Sequence, residues 1–221
     1  MSSICRGEVE DRCRTRLVGT GDDSMVAGPA AAARVGEWYL DSRSAHGVSK
    51  VKEAYRQLQI ETDRLFAALG RDPISSAARV AFTRCARPYA SDLELIEAVS
   101  AGATLEVTSA ATAEGRLHPI LDCEFGGAFD RFRAVHDLIG HAWCGYGFAL
   151  PAECAAWRVQ DRLHSDLARC ALATELYAVN AARGITGESS DLKALLLPVR
   201  DAVWMGADAQ IMPDAVEPAF S

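Results

Sequence analysis

The stretch that most constrains this chain is Phe132-Arg-Ala-Val-His136-Asp137-Leu-Ile-Gly140-His141-Ala-Trp143, which sets two of its five histidines five residues apart. Phe129, Phe132, Val135 and Ile139 recur at helical spacing, so His136 is expected on a helix. Five residues of straight α-helix turn through about 500°, which leaves the two rings about 140° apart. A pair at i and i+4 would converge instead, as in zinc-binding helices. Gly140 offers a way round this: in a left-handed conformation it would end or distort the helix and let His141 swing back toward His136. The stretch therefore predicts a two-histidine metal clamp, conditional on a break at Gly140. The alternative is a pair of hydrogen-bonded core histidines that bind nothing.

A chain of 221 residues is long enough for one domain with a sizeable core. Its formal charge of −7 provides no basic stripe to displace counterions from phosphate, which argues against a nucleic-acid partner. No apolar run approaches the length of a membrane span. Seven cysteines, an odd number without C-x-x-C pairs or a preceding signal-peptide core, fit reduced thiols in a cytoplasm. The expected partner is thus a small molecule, with the oligomeric state left open.

Residues 1–30 lack apolar periodicity and are expected to be a disordered leader, with Met25 an alternative start. Residues 31–206 would form the metal-binding catalytic domain, and 207–221 a loose tail. Ser49 caps a helix carrying Val51, Tyr55, Leu58, Leu65, Phe66 and Leu69, which Gly70 stops. Residues 79–84 and 104–108 alternate, predicting a small sheet of two or three strands. Between them Ser91-Asp-Leu-Glu94 is a capping-box signature for a short helix. Pro151 opens a helix expected to run unbroken to Arg183 and stop at Gly184. Along it Glu153, His164 and Glu175 recur every eleven residues, facing one way and about 16 Å apart. One of them can complete a metal site; the others can bind substrate or pass protons. A last apolar helix (Leu192, Leu195, Leu196, Val199, Val203, Trp204) would be kinked at Pro198. The fold class is mainly α with a small β-sheet (α+β), in one domain.

Two histidines and one carboxylate on one face of a metal, with the other positions open, is the arrangement of non-haem Fe(II) oxygenases. The same ligands serve zinc or manganese in hydrolases. Asp137 could orient a ligating ring, and with Glu153 and His164 it makes up the candidate catalytic groups. Trp143, Tyr146, Phe148 and Trp157 could form an aromatic wall for a planar substrate. Cys144 lacks the second nearby thiolate of a zinc-cysteine site.

His136-Asp137-Leu-Ile-Gly140-His141 resembles the H-D/E-x-x-G-H motif of the pterin-dependent aromatic amino-acid hydroxylases. The resemblance implies a hydroxylase-like catalytic core with Fe(II) on His136 and His141. It nominates Glu175, in Ala173-Thr174-Glu175, as third ligand, because that family takes its carboxylate from a T-x-E-like segment. It also implies dioxygen as co-substrate, a tetrahydropterin or another reductant, and Arg116 (in Gly115-Arg116-Leu117-His118-Pro119) as the group holding a substrate carboxylate. The family's Pro-Glu-Pro-Asp lead-in is replaced here by Ala128-Phe-Asp-Arg131-Phe-Arg133, and its Val-Pro by Ala142-Trp143. The stretch is more similar still to small uncharacterised bacterial and phage proteins that share F-R-A-V-H-D-x-x-G-H, G-x-G-F and T-E. Together these resemblances span about residues 85–180.

The resulting expectation is a non-haem iron monooxygenase acting on an amino acid or aromatic compound through His136, His141 and Glu175. Its rivals are a zinc or manganese hydrolase and a non-catalytic protein with a structural metal. The hydrolase could be of the His-Asp phosphohydrolase type, drawing in His118 and Asp161. Chain proximity alone would favour Glu153 over Glu175 as third ligand. Replacing either His136 or His141 by Ala should abolish stoichiometric metal binding, read by elemental analysis, while most of the helical circular-dichroism signal remains. Full metal retention in either variant would exclude the clamp.

Overall fold

Proline is preorganised for a helix's first turn and alanine is the strongest helix former, so Pro29 followed by an alanine run starts a helix. In the computed structural model, which describes residues 28–69, 79–112, 117–188 and 191–197, this helix (α1) spans Pro29–Asp41. Periodicity does not reveal it, because its buried positions, Ala32, Val35, Gly36 and Tyr39, are mostly small. Of the expected leader at residues 1–30, residues 1–27 lie outside the described residues, as does the tail at 207–221, while Pro29 and Ala30 already belong to α1 and not to a leader. Helix α2 (Ser49–Leu69) matches the expected stripe and buries Val51, Tyr55, Leu58, Leu65 and Leu69.

Strands β1 (Val80–Thr83) and β2 (Leu105–Thr108) pair in parallel, from Val80 opposite Leu105 to Thr83 opposite Thr108. A parallel pair needs a crossover, and helix α3 (Asp92–Ser100) supplies it. Its cap is close to the expected box: Ser91 Oγ accepts the Glu94 N–H at 3.2 Å, while Glu94 reaches back to the Ala90 N–H at 2.6 Å. Among the described residues these two strands are the whole sheet.

Helix α4 (Ala128–His136) runs without interruption into a π-helical turn, Asp137–Trp143. After a loop come α5 (Leu150–Asp161), α6 (Asp166–Ala173), a second π-helical turn (Thr174–Ala178) and α7 (Val179–Thr186). The expected unbroken helix from Pro151 to Arg183 is therefore two segments with a break at 162–165. Ser165 takes the extended N-cap conformation there and donates its N–H to Glu61 at 3.0 Å, and Asp166 sits in the new first turn. The second segment stops at Gly187 (φ +71°), three residues past the expected Gly184. Because α6 and α7 fold back on α5, the separation of about 33 Å between Glu153 and Glu175 along an unbroken axis does not arise.

The expected last helix is absent from its described part. Residues 191–197 run as an irregular strap: the Lys193 N–H donates to Tyr39 Oη at 3.0 Å, its ammonium to Tyr39 and Leu40 carbonyls at 2.7 and 2.8 Å, and Leu195 and Leu197 are buried. Leu197 precedes Pro198, which disfavours the helical region there. Two apolar clusters result. The first gathers Val35, Tyr39, Tyr55, Trp157, Leu172, Tyr177 and the strap leucines. The second gathers Leu65, Leu95, Val99, Leu105, Val135, Leu138 and Ile139. Phe132 belongs to the first and Val135 to the second, so α4 and its π-helical turn lie at their junction. No helix among the described residues is long and apolar enough to cross a membrane.

Helices α1 and α7 meet at Gly36, where an added Cβ would lie 2.7 Å from Ala181 O and 2.6 Å from Ile185 Cδ1. Helix propensity alone would make Gly36→Ala stabilising by about 1 kcal/mol. The clash with backbone should reverse the sign, to a loss of about 1–3 kcal/mol by chemical denaturation. A stabilised variant would mean that α1 does not dock this closely.

Candidate metal centre

The two histidines converge without the break expected at Gly140. Gly140 is not among the glycines with positive φ. The helix widens instead, and the Cys144 N–H reaches the Ile139 carbonyl five residues back at 3.2 Å. A turn closed by i→i+5 bonds brings residues five apart to one side, and the His136 and His141 ring centroids lie 4.8 Å apart. Gly140 is needed for space rather than for its backbone conformation. A Cβ there would sit 2.7 Å from Ala156 Cβ on α5.

That close approach delivers a carboxylate. Glu153, on the first turn of α5, places Oε2 3.0 Å from His136 Nε2 and 3.8 Å from His141 Nε2. The three ligand atoms lie within 4.8 Å of one another, and all three residues are buried. Both rings are held from behind. His141 Nδ1 faces the Tyr146 carbonyl at 2.8 Å, an acceptor, so Nδ1 carries the proton. His136 Nδ1 faces Gln160 Oε1 at 3.1 Å in the same way. Each neutral ring therefore turns its Nε2 lone pair toward the carboxylate, which is favourable only with a cation or a proton among them. The electrostatics agree: burial pushes the His136 imidazolium toward neutrality, but the Glu153 hydrogen bond and charge, with help from Asp137 and Gln160, outweigh it and raise its pKa. The donor set fits a divalent metal of the kind that accepts imidazole and carboxylate.

Glu175 is not in this group. Its Oε1 accepts the Tyr55 hydroxyl and His118 Nε2, the latter at 3.2 Å. The third ligand named by the hydroxylase resemblance is thus tied to α2 and the 118 loop, while Glu153 takes the place beside the histidines. Both carboxylates line the same cavity of about 630 Å³, together with Asp137, Phe148, Phe129, Phe132, Arg133, Asn180 and Arg183.

Of the remaining expected residues, Phe148 stands edge-on to His141 at 4.8 Å. His164 is buried in the α5–α6 turn, where Nδ1 meets the Gln160 carbonyl at 2.9 Å and burial depresses its pKa; it does not line the cavity. Trp157 stacks on Tyr177 in the first core cluster, with centroids 5.4 Å apart, and Trp143 packs on the second. Their apolar bodies went to packing instead of a substrate wall. Arg116 lies outside the described residues. Asp161 is bound by Arg169 at 2.6 Å, and His118 by Glu175, so the phosphohydrolase ligands are engaged elsewhere. Cys144 is disulfide-bonded, against the expectation of reduced thiols throughout.

No known family model, curated protein or solved structure matches the chain.

Three contributors escaped the sequence reading, namely Gln160, the Tyr146 carbonyl and Tyr55, while His118, expected only as a phosphohydrolase ligand, holds Glu175 instead. Gln160 carried a usable signal, since it lies seven residues after Glu153 and hence on the same helical face. Tyr55 reads only as part of an apolar stripe, and a backbone carbonyl has no sequence signal at all.

Gly140→Ala provides the test of the close approach. Ala156 is a backbone-bound methyl that moves only with α5, and Glu153 and Gln160 lie within one turn of it on either side. The variant should lose about 1–3 kcal/mol of stability and bind metal more weakly, by denaturation and metal titration. A more stable, normally metallated variant would mean that α5 has room at this crossing.

Proposed function

We propose that this chain is a mononuclear non-haem Fe(II) oxygenase that hydroxylates or otherwise oxidises a small substrate, with His136, His141 and Glu153 as metal ligands. The observation carrying this reading is the convergence of two backed Nε2 atoms and one carboxylate oxygen on the wall of an aromatic-lined cavity. Two imidazoles and one carboxylate leave the cavity side of a metal open, as oxygenase chemistry requires. A bound iron would supply the redox chemistry with dioxygen, and a tetrahydropterin or another reductant the further electrons. The protein's own work is to hold both rings in one tautomer through Gln160 and the Tyr146 carbonyl, and to present Phe148 and Asp137 to the cavity. The His motif supports the likeness to the aromatic amino-acid hydroxylases, with Glu153 in place of their carboxylate. A structural metal fits less well, since closed sites use four protein ligands and three are grouped among the described residues.

A second reading, a zinc or manganese hydrolase, is favoured by one observation: the carboxylate beside the histidines is Glu153 and not the one a hydroxylase would use. Asp137, which lines the cavity, would then be the candidate base.

Anaerobic reconstitution with Fe(II), Zn(II) and Mn(II), followed by oxygen uptake with small aromatic substrates, separates the two. Stoichiometric iron and substrate-dependent oxygen uptake are expected. Glu153→Gln should lose both, and Glu175→Gln should keep the iron. Turnover supported by zinc without oxygen would replace this reading with the hydrolase, and loss of iron from Glu175→Gln would overturn the ligand set.

A further inference from the structure

His118 shows why Glu175 is where it is. Its Nδ1 accepts two backbone N–H groups, from Ile120 at 3.1 Å and Leu121 at 2.7 Å. Nδ1 is therefore unprotonated, and in the neutral ring the proton sits on Nε2, which donates to Glu175 Oε1. Tyr55 donates its hydroxyl to the same oxygen, and burial together with the Glu175 charge keeps that phenol protonated. Oε1 is thus fully used. Oε2 makes no hydrogen bond among the described residues. Glu175, whose side chain is only 2% exposed, lines the cavity, so Oε2 is the oxygen left for a cavity ligand.

A carboxylate this buried normally has a cationic partner. Among the described residues no Lys or Arg pairs with it. Its two partners are a neutral imidazole and a phenol. Among the described residues the carboxylate is oriented but not paired with a cation, in a cavity of about 630 Å³, a volume suited to a small organic molecule. Asp137 on the same wall is less buried than Glu175, so a cation gains less there.

We propose that the cavity binds a substrate carrying a protonated amine on an aromatic or apolar body, with the ammonium donating to Glu175 Oε2 and the body against Phe129, Phe132 and Phe148. The inference names a substrate class for the cavity and rests on that cavity being the substrate site. It does not depend on which metal is bound.

The test is calorimetric titration of the full chain, with chelator and again after iron loading, using benzylamine, benzyl alcohol and benzoate as probes. Benzylamine should bind at least about tenfold more tightly than benzyl alcohol, the scale of one charge-assisted hydrogen bond, with benzoate weakest. Glu175→Gln should erase the amine preference while keeping its iron, and Tyr55→Phe, which keeps the carboxylate, should retain it. The proposal fails if benzylamine does not bind, if the alcohol matches it, if benzoate binds best, or if Glu175→Gln keeps the preference. Should Glu175→Gln not fold, the amine-to-alcohol ratio of the unmodified chain still decides. Iron content is read separately, so loss of metal from Glu153→Gln bears on the metal centre alone, and loss of amine preference from Glu175→Gln on the subsite alone.

Discussion

The candidate centre hangs on how closely α5 can approach the π-helical turn at Gly140. With no Cβ at that position, Ala156 packs directly over the turn, and the residues one turn either side of Ala156 reach the His136 ring. Glu153 reaches Nε2 and Gln160 reaches Nδ1, so one helix supplies both a candidate ligand and the group that fixes the tautomer. A displacement of α5 by a few tenths of an ångström would disturb both, because packed helices move as units. The geometry of the candidate centre and the packing of the core are therefore one constraint here.

His118 has the opposite chemistry to His136 and His141, by one rule. An imidazole's free nitrogen is decided by what its other nitrogen meets. His136 and His141 give their Nδ1 protons to carbonyl oxygens and are left with Nε2 acceptors, suited to a cation. His118 receives two backbone N–H groups at Nδ1 and is left with an Nε2 donor, suited to a carboxylate. The two carboxylates are sorted accordingly. Glu153 faces lone pairs and calls for a positive charge between them, while Glu175 is fixed by two donors on one oxygen.

Much of the layout was legible in the chain. The apolar stripe of α2, the two alternating strands, the Ser91 cap and Pro151 all carry local signals, and the elements form where those signals lie. That the His pair could converge was legible, though the means of convergence was not. Gly140 carries two possible meanings, a left-handed stop or a close contact, and only the neighbour at Ala156 separates them. The break at 162–165 had a local signal in Ser165-Asp166, but the start at Pro151, the stop at Gly184 and the eleven-residue spacing of Glu153, His164 and Glu175 pointed to one helix. The strap at 191–197 is rich in leucine and reads as helix, yet it is drawn out by bonds to Tyr39 and Leu40, more than 150 residues away.

By itself, then, the sequence determined the helical class, the two short strands and the two histidines of the candidate centre, because each is written in residues a few positions apart, whereas the parallel pairing of the strands came from the fold. Only the tertiary structure decided which carboxylate joins them. Glu153 and Glu175 share a residue type and a helical phase, so nothing local distinguishes them. The choice follows from the chain's reversal at Ser165 and from α5 settling on Gly140, which bring Glu153 to the histidines and leave Glu175 with Tyr55 and His118. Such contacts depend on backbone paths fixed by the whole core, and no window of sequence contains them.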